Sequence, residues 1–182
     1  APSTVQEAAD LVQEAFDLAD KYRNPVMILG DGLIGQMMEP VEFKKVINPE
    51  DLPKKPWATT GASGRKPNVI NSLYLDPEDL EKHNWKLVKK YEEMAKNEKR
   101  WEVFNLDKKA DILFVAYGTV ARIIKTAIEV LKEKGVNAAL FRPITLFPFP
   151  GEALEETAAK CKHVFVSELS TGQMIEDVKY HL

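Results

Sequence analysis

Apolar residues recur at helical spacing through the first twenty residues of the chain. They follow Ser3 and Thr4, which stand three residues before Gln6 and Glu7 in two overlapping capping boxes. This pattern predicts a helix that ends at Asn24-Pro25, because the residue before a proline disfavours helical geometry. Its apolar stripe comprises Ala8, Leu11, Val12, Ala15, Leu18, Ala19 and Tyr22.

The next four residues, 26–29, are all apolar, which predicts a short strand buried on both faces of a parallel sheet. Gly30-Asp31-Gly32 ends that strand, and residues 33–38 predict a further helical turn before Pro40. One strand cannot form a sheet alone. We therefore expect the rest of this unit to lie upstream or to come from another chain.

The regular pattern is lost between residues 42 and 71, where prolines and glycines stand among polar residues and predict an extended linker. Trp57 within it is expected to dock on another surface. Asp76-Pro77 then predicts the start of a long charged helix. The apolar face predicted for that helix comprises Leu80, Leu87, Val88, Tyr91, Met94, Ala95 and Trp101.

The last third alternates apolar strands with amphipathic helices. Strands are predicted at residues 112–116, 136–141 and 163–166, with helices after Thr119, over residues 152–160 and from Met174 onward. This order predicts an α/β fold with a parallel sheet and right-handed crossovers.

Composition narrows the possible functions. The net charge of −3 provides no basic surface for a phosphate backbone, so no nucleic-acid partner is expected. A single cysteine excludes a disulfide framework or a cysteine-ligated iron–sulfur cluster held by these residues alone, and it suits the reducing cytoplasm. No apolar run reaches the length of a membrane span, so no membrane association is expected.

Ligands of parallel sheets bind beyond the carboxyl ends of the strands. Gly118-Thr119 at such an end has two interpretations: a helix N-terminus that holds an anion, or a tight turn with a threonine cap. Arg142 also has two: binding a carboxylate or phosphate ligand, or pairing with Glu168 on a neighbouring strand.

Other chemistry-bearing residues give weaker signals. The three histidines lack metal-ligand spacing, so no metal site is predicted. Cys161 lies between lysines that could lower its pKa, although packing is the alternative role. Asp31 is a carboxylate at a strand end or an Asx-turn residue. The residues alone indicate a non-catalytic α/β domain with part of a second.

Several motifs in order resemble the α subunits of 2-oxoacid:ferredoxin oxidoreductases. These are the opening Ala-Pro-Ser-Thr-Val-Gln-Glu, Tyr-Arg-Asn-Pro-Val at 22–26, Asp31-Gly32 with Gly-Gln-Met-Met-Glu-Pro-Val at 35–41, and Val-Ala-Tyr-Gly-Thr at 115–119 with Ala121-Arg122. The series continues with Arg-Pro-Ile-Thr-Leu-Phe-Pro-Phe-Pro at 142–150, and with Gly172-Gln173-Met174 inside residues 168–178.

The resemblance implies a thiamine diphosphate enzyme that decarboxylates a 2-oxoacid, passes electrons to ferredoxin and forms an acyl-coenzyme A. It implies three regions: residues 1–42 as the C-terminal end of a pyrimidine-binding domain, 43–105 as linker and long helix, and 106–182 as a truncated three-layer domain like the transketolase C-terminal domain. It also implies that Mg²⁺ and the diphosphate are held with a β subunit, and the iron–sulfur clusters by γ or δ subunits.

The family's tyrosine-proline motif and its aminopyrimidine-binding glutamate have no counterpart here. The chain is accordingly expected to be a fragment that binds no cofactor and is inactive by itself. No catalytic residue is assigned, and the candidates near a cofactor site are Asp31, Gly32, Gln36, Gly118, Thr119, Arg142, Glu168 and Gln173.

Three alternatives stay open at this point. The Met-Met-Glu-Pro run at 37–40 resembles α subunits that act on branched-chain 2-oxoacids such as 2-oxoisovalerate, with the 2-oxoglutarate enzymes as the other candidate. A β chain of a lipoamide-linked 2-oxoacid dehydrogenase would share the second-domain fold. A free-standing α/β binding module would explain the lack of catalytic groups.

Overall fold

A computed structural model describes residues 1–43 and 47–182 of the chain. The predicted α/β class is confirmed: three of the four strands in the described part are parallel neighbours joined by helices. The elements are α1 (Val5–Tyr22), α2 (Gly32–Gln36), a 3₁₀ turn (Pro49–Asp51), α3 (Pro77–Asn97), β1 (Trp101–Phe104), β2 (Ala110–Val115), α4 (Gly118–Glu133), β3 (Ala138–Pro143), α5 (Gly151–Ala158), β4 (Cys161–Val166) and α6 (Met174–His181).

The sheet has the strand order β1-β3-β2-β4. β2 lies in register with β3 through Leu113 opposite Ala139, and with β4 through Leu113 opposite Val164. Because β2, β3 and β4 are parallel, their carboxyl ends lie at one edge of the sheet, where ligand sites of such folds are built.

Side chains alternate between the two faces of the sheet and so bury two separate apolar clusters. Leu113, Val115 and Phe141 face α5 and α6, where they pack with Leu154 and Met174. The opposite face packs against α4 through Ala116, Ala138, Leu140, Ala121, Ile124 and Ile128. The helices α4 on one side and α5 with α6 on the other therefore give the predicted three-layer domain.

The first helix forms as predicted. Thr4 is its N-cap and accepts a hydrogen bond from the Glu7 backbone N–H at 3.1 Å. The carboxylate of Glu7 accepts in return from the backbone N–H of Ser3 at 2.7 Å. These reciprocal bonds satisfy donors that a helix start otherwise leaves unpaired.

The strand predicted at residues 26–29 is wrong. The segment is not part of a sheet, and the side chains of Val26, Met27 and Leu29 are 41%, 80% and 48% exposed. No strand in the described residues lies beside it, so its backbone has no ladder to join. Apolar sequence alone does not make a strand where a neighbour is missing.

The long helix α3 begins at the predicted Asp76-Pro77, and its N-cap Asp76 accepts from the backbone N–H groups of Glu78 and Asp79. It ends at Asn97, so Trp101, which the sequence placed on its face, instead opens β1. β1 was not predicted; it pairs antiparallel with β3 at the edge of the sheet. The last turns of α3 contact the rest of the molecule through the hydrogen bond of Lys90 to Asn24 and the edge contact of Tyr91 with Phe147, while Trp85 on it is 59% exposed.

The prediction that Trp57 docks on another surface is confirmed. Its ring centroid lies 4.9 Å from Cζ of the Arg23 guanidinium. Among the helices of the described residues, none has the length and apolar character needed to cross a membrane.

Candidate functional site

The carboxyl ends of β2 and β4 border a cleft of about 240 Å³ lined by Asp31, Tyr117, Val120, Glu168, Leu169 and Ser170. Asp31 comes from the N-terminal segment, residues 1–43, and the other residues come from the sheet domain, which comprises β1 to α6. The fold thus brings together four predicted candidates. Asp31 and Glu168 line the cleft, and Gly118 and Thr119 lie against Asp31.

Asp31 bonds to the N-terminal ends of two helices at once. Its Oδ1 accepts hydrogen bonds from the backbone N–H groups of Leu33 and Ile34 in α2, at 3.1 and 3.0 Å. Its other partner is Thr119 in α4, whose N–H donates to Oδ2 and whose hydroxyl donates to Oδ1, both at 2.8 Å. Burial alone raises the pKa of Asp31, but these hydrogen bonds outweigh burial and hold the pKa below its ordinary value.

This contact bears on both interpretations of Gly118-Thr119. The anion that the structure places at the start of α4 is the carboxylate of Asp31. The threonine-cap alternative is wrong in detail, because the N-cap is Tyr117 without a side-chain cap bond. Gly118 has φ +59°, and a Cβ there would lie 2.9 Å from Asp31 Oδ2, so the close approach requires glycine.

Glu168 performs the same task at α6. It accepts from the backbone N–H groups of Met174 and Ile175 at 3.1 and 3.2 Å, and the hydroxyl of Ser170 also donates to it. Burial opposes ionisation here too, yet the hydrogen bonds from Ser170 and from the helix start lower the pKa of Glu168 overall. Glu168 is therefore a helix-capping carboxylate.

The predicted pairing of Arg142 with Glu168 is wrong. Arg142, at the end of β3, forms a two-pronged ion pair with Glu7 of α1, with both N–O distances at 2.9 Å. Its Nε donates to Glu102 of β1 at 2.8 Å, and Glu102 also pairs with Lys125. The side chain of Arg142 is only 5% exposed, and its guanidinium donates to the carboxylates of Glu7 and Glu102.

Sequence reasoning missed Glu7 and Glu102 as partners of Arg142. Glu7 was recognised only through its capping box, although the same carboxylate reaches across to the sheet. Burial alone raises the pKa of Glu7, but hydrogen bonds from Arg142 and Ser3 lower it overall. Glu102 lies on the unpredicted strand β1, so no sequence signal pointed to it.

The remaining candidates do not converge on the cleft. Gly32 and Gln36 are the exposed first and last residues of α2, and the exposed Gln173 donates to the hydroxyl of Thr171 at 3.4 Å. His83 stacks on Tyr74, and His181 stacks on Phe149.

Cys161 is the first residue of β4 and lies against the carbonyl of Thr157 at 3.5 Å. Burial raises the pKa of its thiol, which favours the packing role over a lysine-activated thiolate.

The carboxylates of Asp31 and Glu168 would repel a bare diphosphate in the cleft, and both are already engaged by helix N–H groups. Within residues 1–43 and 47–182, no group of three or more metal-ligating side chains is found, and no buried side-chain polar atom lacks a partner. Asp31 and Glu168 therefore organise the edge of the sheet by capping helices.

A second, apolar groove of about 310 Å³ lies between α1, residues 24–29 and the loop 144–148. Leu11, Ala15 and Leu18 of α1 line one wall, and Ile144 and Phe147 line the other. The helix α1 and the loop 144–148 are thus packed together only in part.

The fold and the cleft define an α/β domain of a multi-domain protein, with a helical segment of a second unit clamped to its edge. Residues 1–103 match the thiamine diphosphate-binding domain of the pyruvate flavodoxin/ferredoxin oxidoreductases, and residues 110–182 match core domain II of pyruvate:ferredoxin oxidoreductase. The chain belongs to this family, as the sequence motifs predicted.

Similar proteins include the ketoisovalerate oxidoreductase subunit VorB of Methanothermobacter thermautotrophicus, 44% identical over 98% of this chain and 50% of the relative. The 2-oxoglutarate synthase subunit KorA of Methanocaldococcus jannaschii is 36% identical over 98% of this chain and 54% of the relative. The chain therefore spans about half the length of these curated relatives.

The solved 2-oxoglutarate:ferredoxin oxidoreductase of Magnetococcus marinus superposes with a TM-score of 0.74 at 20% identity, over 99% of this chain and 36% of that one. At that identity the superposition shows the shared fold.

Proposed function

We propose that the chain is part of the α subunit of a thiamine diphosphate-dependent 2-oxoacid:ferredoxin oxidoreductase. The reaction is oxidative decarboxylation of a 2-oxoacid to an acyl-coenzyme A, with electrons passed to ferredoxin, in the cytoplasm. The observation that carries the proposal is the match of two consecutive domains of this family, over residues 1–103 and 110–182.

The substrate we propose is a branched-chain 2-oxoacid such as 2-oxoisovalerate. This rests on the 44% identity to a ketoisovalerate oxidoreductase subunit, against 36% to a 2-oxoglutarate synthase subunit. No residue of the described cleft selects between a branched aliphatic and an acidic side chain, so the two substrates become arms of the test.

Within this enzyme, we assign residues 1–42 to the end of the pyrimidine-binding domain, 43–105 to a linker with a long helix, and 106–182 to a domain like the transketolase C-terminal domain. The hydrogen bonds of Asp31 and the ion pair of Glu7 with Arg142 support a role in holding these units together. The role proposed for this chain is assembly, with no catalytic residue of its own.

The cofactors are proposed to be bound together with, or by, other subunits of the enzyme. Thiamine diphosphate and Mg²⁺ are proposed to be shared with the β subunit, as the resemblance to this family implies; the match of residues 1–103 to its thiamine diphosphate-binding domain supports the cofactor. The iron–sulfur clusters are assigned to γ or δ subunits, since one cysteine cannot ligate a cluster. Coenzyme A and ferredoxin are proposed to meet the assembled enzyme.

The test is anaerobic purification of the native complex, with the subunit that carries this sequence as bait. We expect a brown complex that contains further subunits, iron and thiamine. It should reduce a viologen dye in a coenzyme A-dependent reaction, with a higher kcat/KM for 2-oxoisovalerate than for 2-oxoglutarate or pyruvate. The isolated chain should show no such activity.

Other outcomes separate the alternatives. A colourless complex with lipoamide-linked components would replace the proposal by the dehydrogenase β chain. A bait that is recovered alone, monodisperse and free of thiamine would favour a binding module. Preference for 2-oxoglutarate within a brown complex would overturn the substrate and leave the enzyme class standing.

A further inference from the structure

The outward face of α1 combines exposed apolar side chains with negative charge. Val12 and Phe16 are 48% and 72% exposed, and Asp17 beside them is exposed as well. The helix holds five acidic residues and one basic residue, Lys21, which is paired with a carboxylate outside the helix. Residues three and four apart share a helix face, so five side chains form one surface, which we call the acidic surface: Val12, Gln13, Phe16, Asp17 and Asp20.

A second segment of the chain carries the opposite charge. Residues 52–75 contain four basic residues and no acidic residue, in a chain whose net charge is −3. The exposed apolar side chains of this segment include Val69 and Ile70, which are 83% and 60% exposed. We call the exposed residues Lys54, Lys66, Val69 and Ile70 the basic surface.

Hydrogen bonds within residues 54–70 hold the parts of the basic surface together. The side-chain amide of Asn68 donates to the carbonyls of Pro56 and Ala58, at 2.7 and 2.9 Å. The guanidinium of Arg65 donates to the same Ala58 carbonyl at 3.1 Å. The two ends of the basic surface, before and after this loop, are therefore tied to each other.

The acidic and basic surfaces lie next to each other on the molecule. Lys55 pairs with Asp20 of α1 at 2.5 Å, and Trp57 lies against Arg23, the C-cap of that helix. Complementary charges are thus adjacent on one chain, and the pair of Lys55 with Asp20 is an example of the contact that they favour.

We propose that these surfaces form a two-fold interface, in which a second copy of this chain binds with its basic surface on the acidic surface of the first. A two-fold rotation repeats every contact, so two adjacent and complementary surfaces pair twice in one closed dimer. The exposed apolar side chains become buried between the copies, and Lys54 and Lys66 of one copy lie near Asp17 of the other. Charge complementarity favours a second copy as the occupant, because each surface has its complement on the same chain.

Sedimentation equilibrium of the whole chain tests this interface. The unaltered chain should form dimers as its concentration rises, and sodium chloride should weaken them, because salt screens exposed charges. Two double variants each reverse the charge of one surface: Lys54→Glu/Lys66→Glu and Gln13→Lys/Asp17→Lys. Each variant alone should dimerise at least about tenfold more weakly, because like charges then face each other.

An equimolar mixture of the two variants provides the sharpest measurement. In the mixed dimer the two reversed surfaces face each other, and so do the two unaltered surfaces. Both contacts are then complementary, so the mixture should dimerise as tightly as the unaltered chain. The matched control is Lys108→Glu/Lys109→Glu, which makes the same change of charge at two exposed residues before β2 and should dimerise normally.

Three results would overturn the proposal. A chain that stays monomeric at every concentration would leave the two surfaces to another protein. Dimers that persist unchanged in both reversed variants, or variants that keep their helix content by circular dichroism and fail to recover in the mixture, would place the contact elsewhere. A dimer that is insensitive to sodium chloride would refute charge complementarity without the use of any variant.

Discussion

The carboxylate of Asp31 links the N-terminal ends of α2 and α4, and Thr119 is its partner in α4. The Thr119 backbone N–H donates to Asp31 Oδ2 and its hydroxyl donates to Oδ1, both at 2.8 Å, while Oδ1 also caps α2. An internal carboxylate thus satisfies the positive end of α4, the place where the sequence left open an anionic ligand.

The first prediction concerns Asp31→Asn. The amide would keep one acceptor oxygen but would direct NH₂ donors at groups that themselves donate, so the chain should lose about 1–3 kcal/mol of unfolding free energy. Urea unfolding measures this. Asp76→Asn is the control, because Asp76 caps the exposed start of α3 by similar bonds and Asn caps nearly as well. Equal losses in both variants would contradict a special role for the contact with Thr119.

The second prediction concerns pH. The folded-state pKa values of Glu7 and Asp31 lie below their ordinary values. Hydrogen bonds from Arg142 outweigh burial at Glu7, and hydrogen bonds from the Ile34 N–H and from Thr119 outweigh burial at Asp31. The unfolded chain therefore binds more protons in acid, and stability falls as the pH drops from about 5 toward 3.

Urea midpoints measured across this range should decline for the unaltered chain, and Glu7→Gln should flatten the decline. A profile that keeps its full slope in Glu7→Gln would show that other carboxylates govern the acid response.

Arg142 shows which features of the site could be predicted from the sequence and which could not. The apolar run before Arg142 correctly predicted a strand, but the predicted end at Phe141 was wrong, because Arg142 and Pro143 pair with β1 inside β3. The ion-pair partners of Arg142 were not predictable, since Glu7 lies 135 residues away and Glu102 belongs to a four-residue edge strand. Local patterns locate elements, whereas ion pairs between distant elements depend on how the units dock.

The N-terminal segment gives the complementary case. The capping box correctly predicted where α1 begins, because those bonds are local to Ser3, Thr4 and Glu7. Residues 26–29 were predicted as a strand from equally clear apolar sequence, yet a strand is defined by its neighbours. The fold of the last third was predictable because all partners of β2 lie within it.

The third prediction is that Arg142→Met costs about 3 kcal/mol of unfolding free energy. It leaves the carboxylate of Glu7 without its ion-pair partner and that of Glu102 with Lys125 alone, at a guanidinium site that is only 5% exposed. Arg142→Lys should rescue only a small part, because a single ammonium cannot reproduce the planar fork.

Arg122→Met is the matched control for Arg142→Met. Arg122 is 44% exposed, so its loss should cost much less than the loss of Arg142. Guanidinium chloride would screen both pairs, so urea is the denaturant of choice. Comparable losses for the two arginines would refute the importance of burial.

The fourth prediction compares Gly118→Ala with Gly135→Ala. Both glycines have positive φ, +59° and +77°, so both substitutions incur backbone strain of about 1 kcal/mol. Only at position 118 does the new Cβ approach Asp31 Oδ2, at 2.9 Å, whereas nothing lies within 4 Å at position 135.

Thermal unfolding should therefore show a larger loss for Gly118→Ala. In the background of Asp31→Ala, which removes the carboxylate, the excess should disappear. An excess that survives in this background would assign it to other surroundings of Gly118.

The fifth prediction concerns Cys161. Burial raises the pKa of its thiol, and the nearby Lys160 offsets only part of this effect. Since the thiolate is the reactive form, Cys161 in the folded chain should react with iodoacetamide at pH 7.5 at least about tenfold more slowly than free cysteine. In urea-unfolded chain the rate should rise to that of an ordinary exposed thiol. Folded-state alkylation as fast as that of free cysteine would restore the lysine-activated thiolate that the sequence left open.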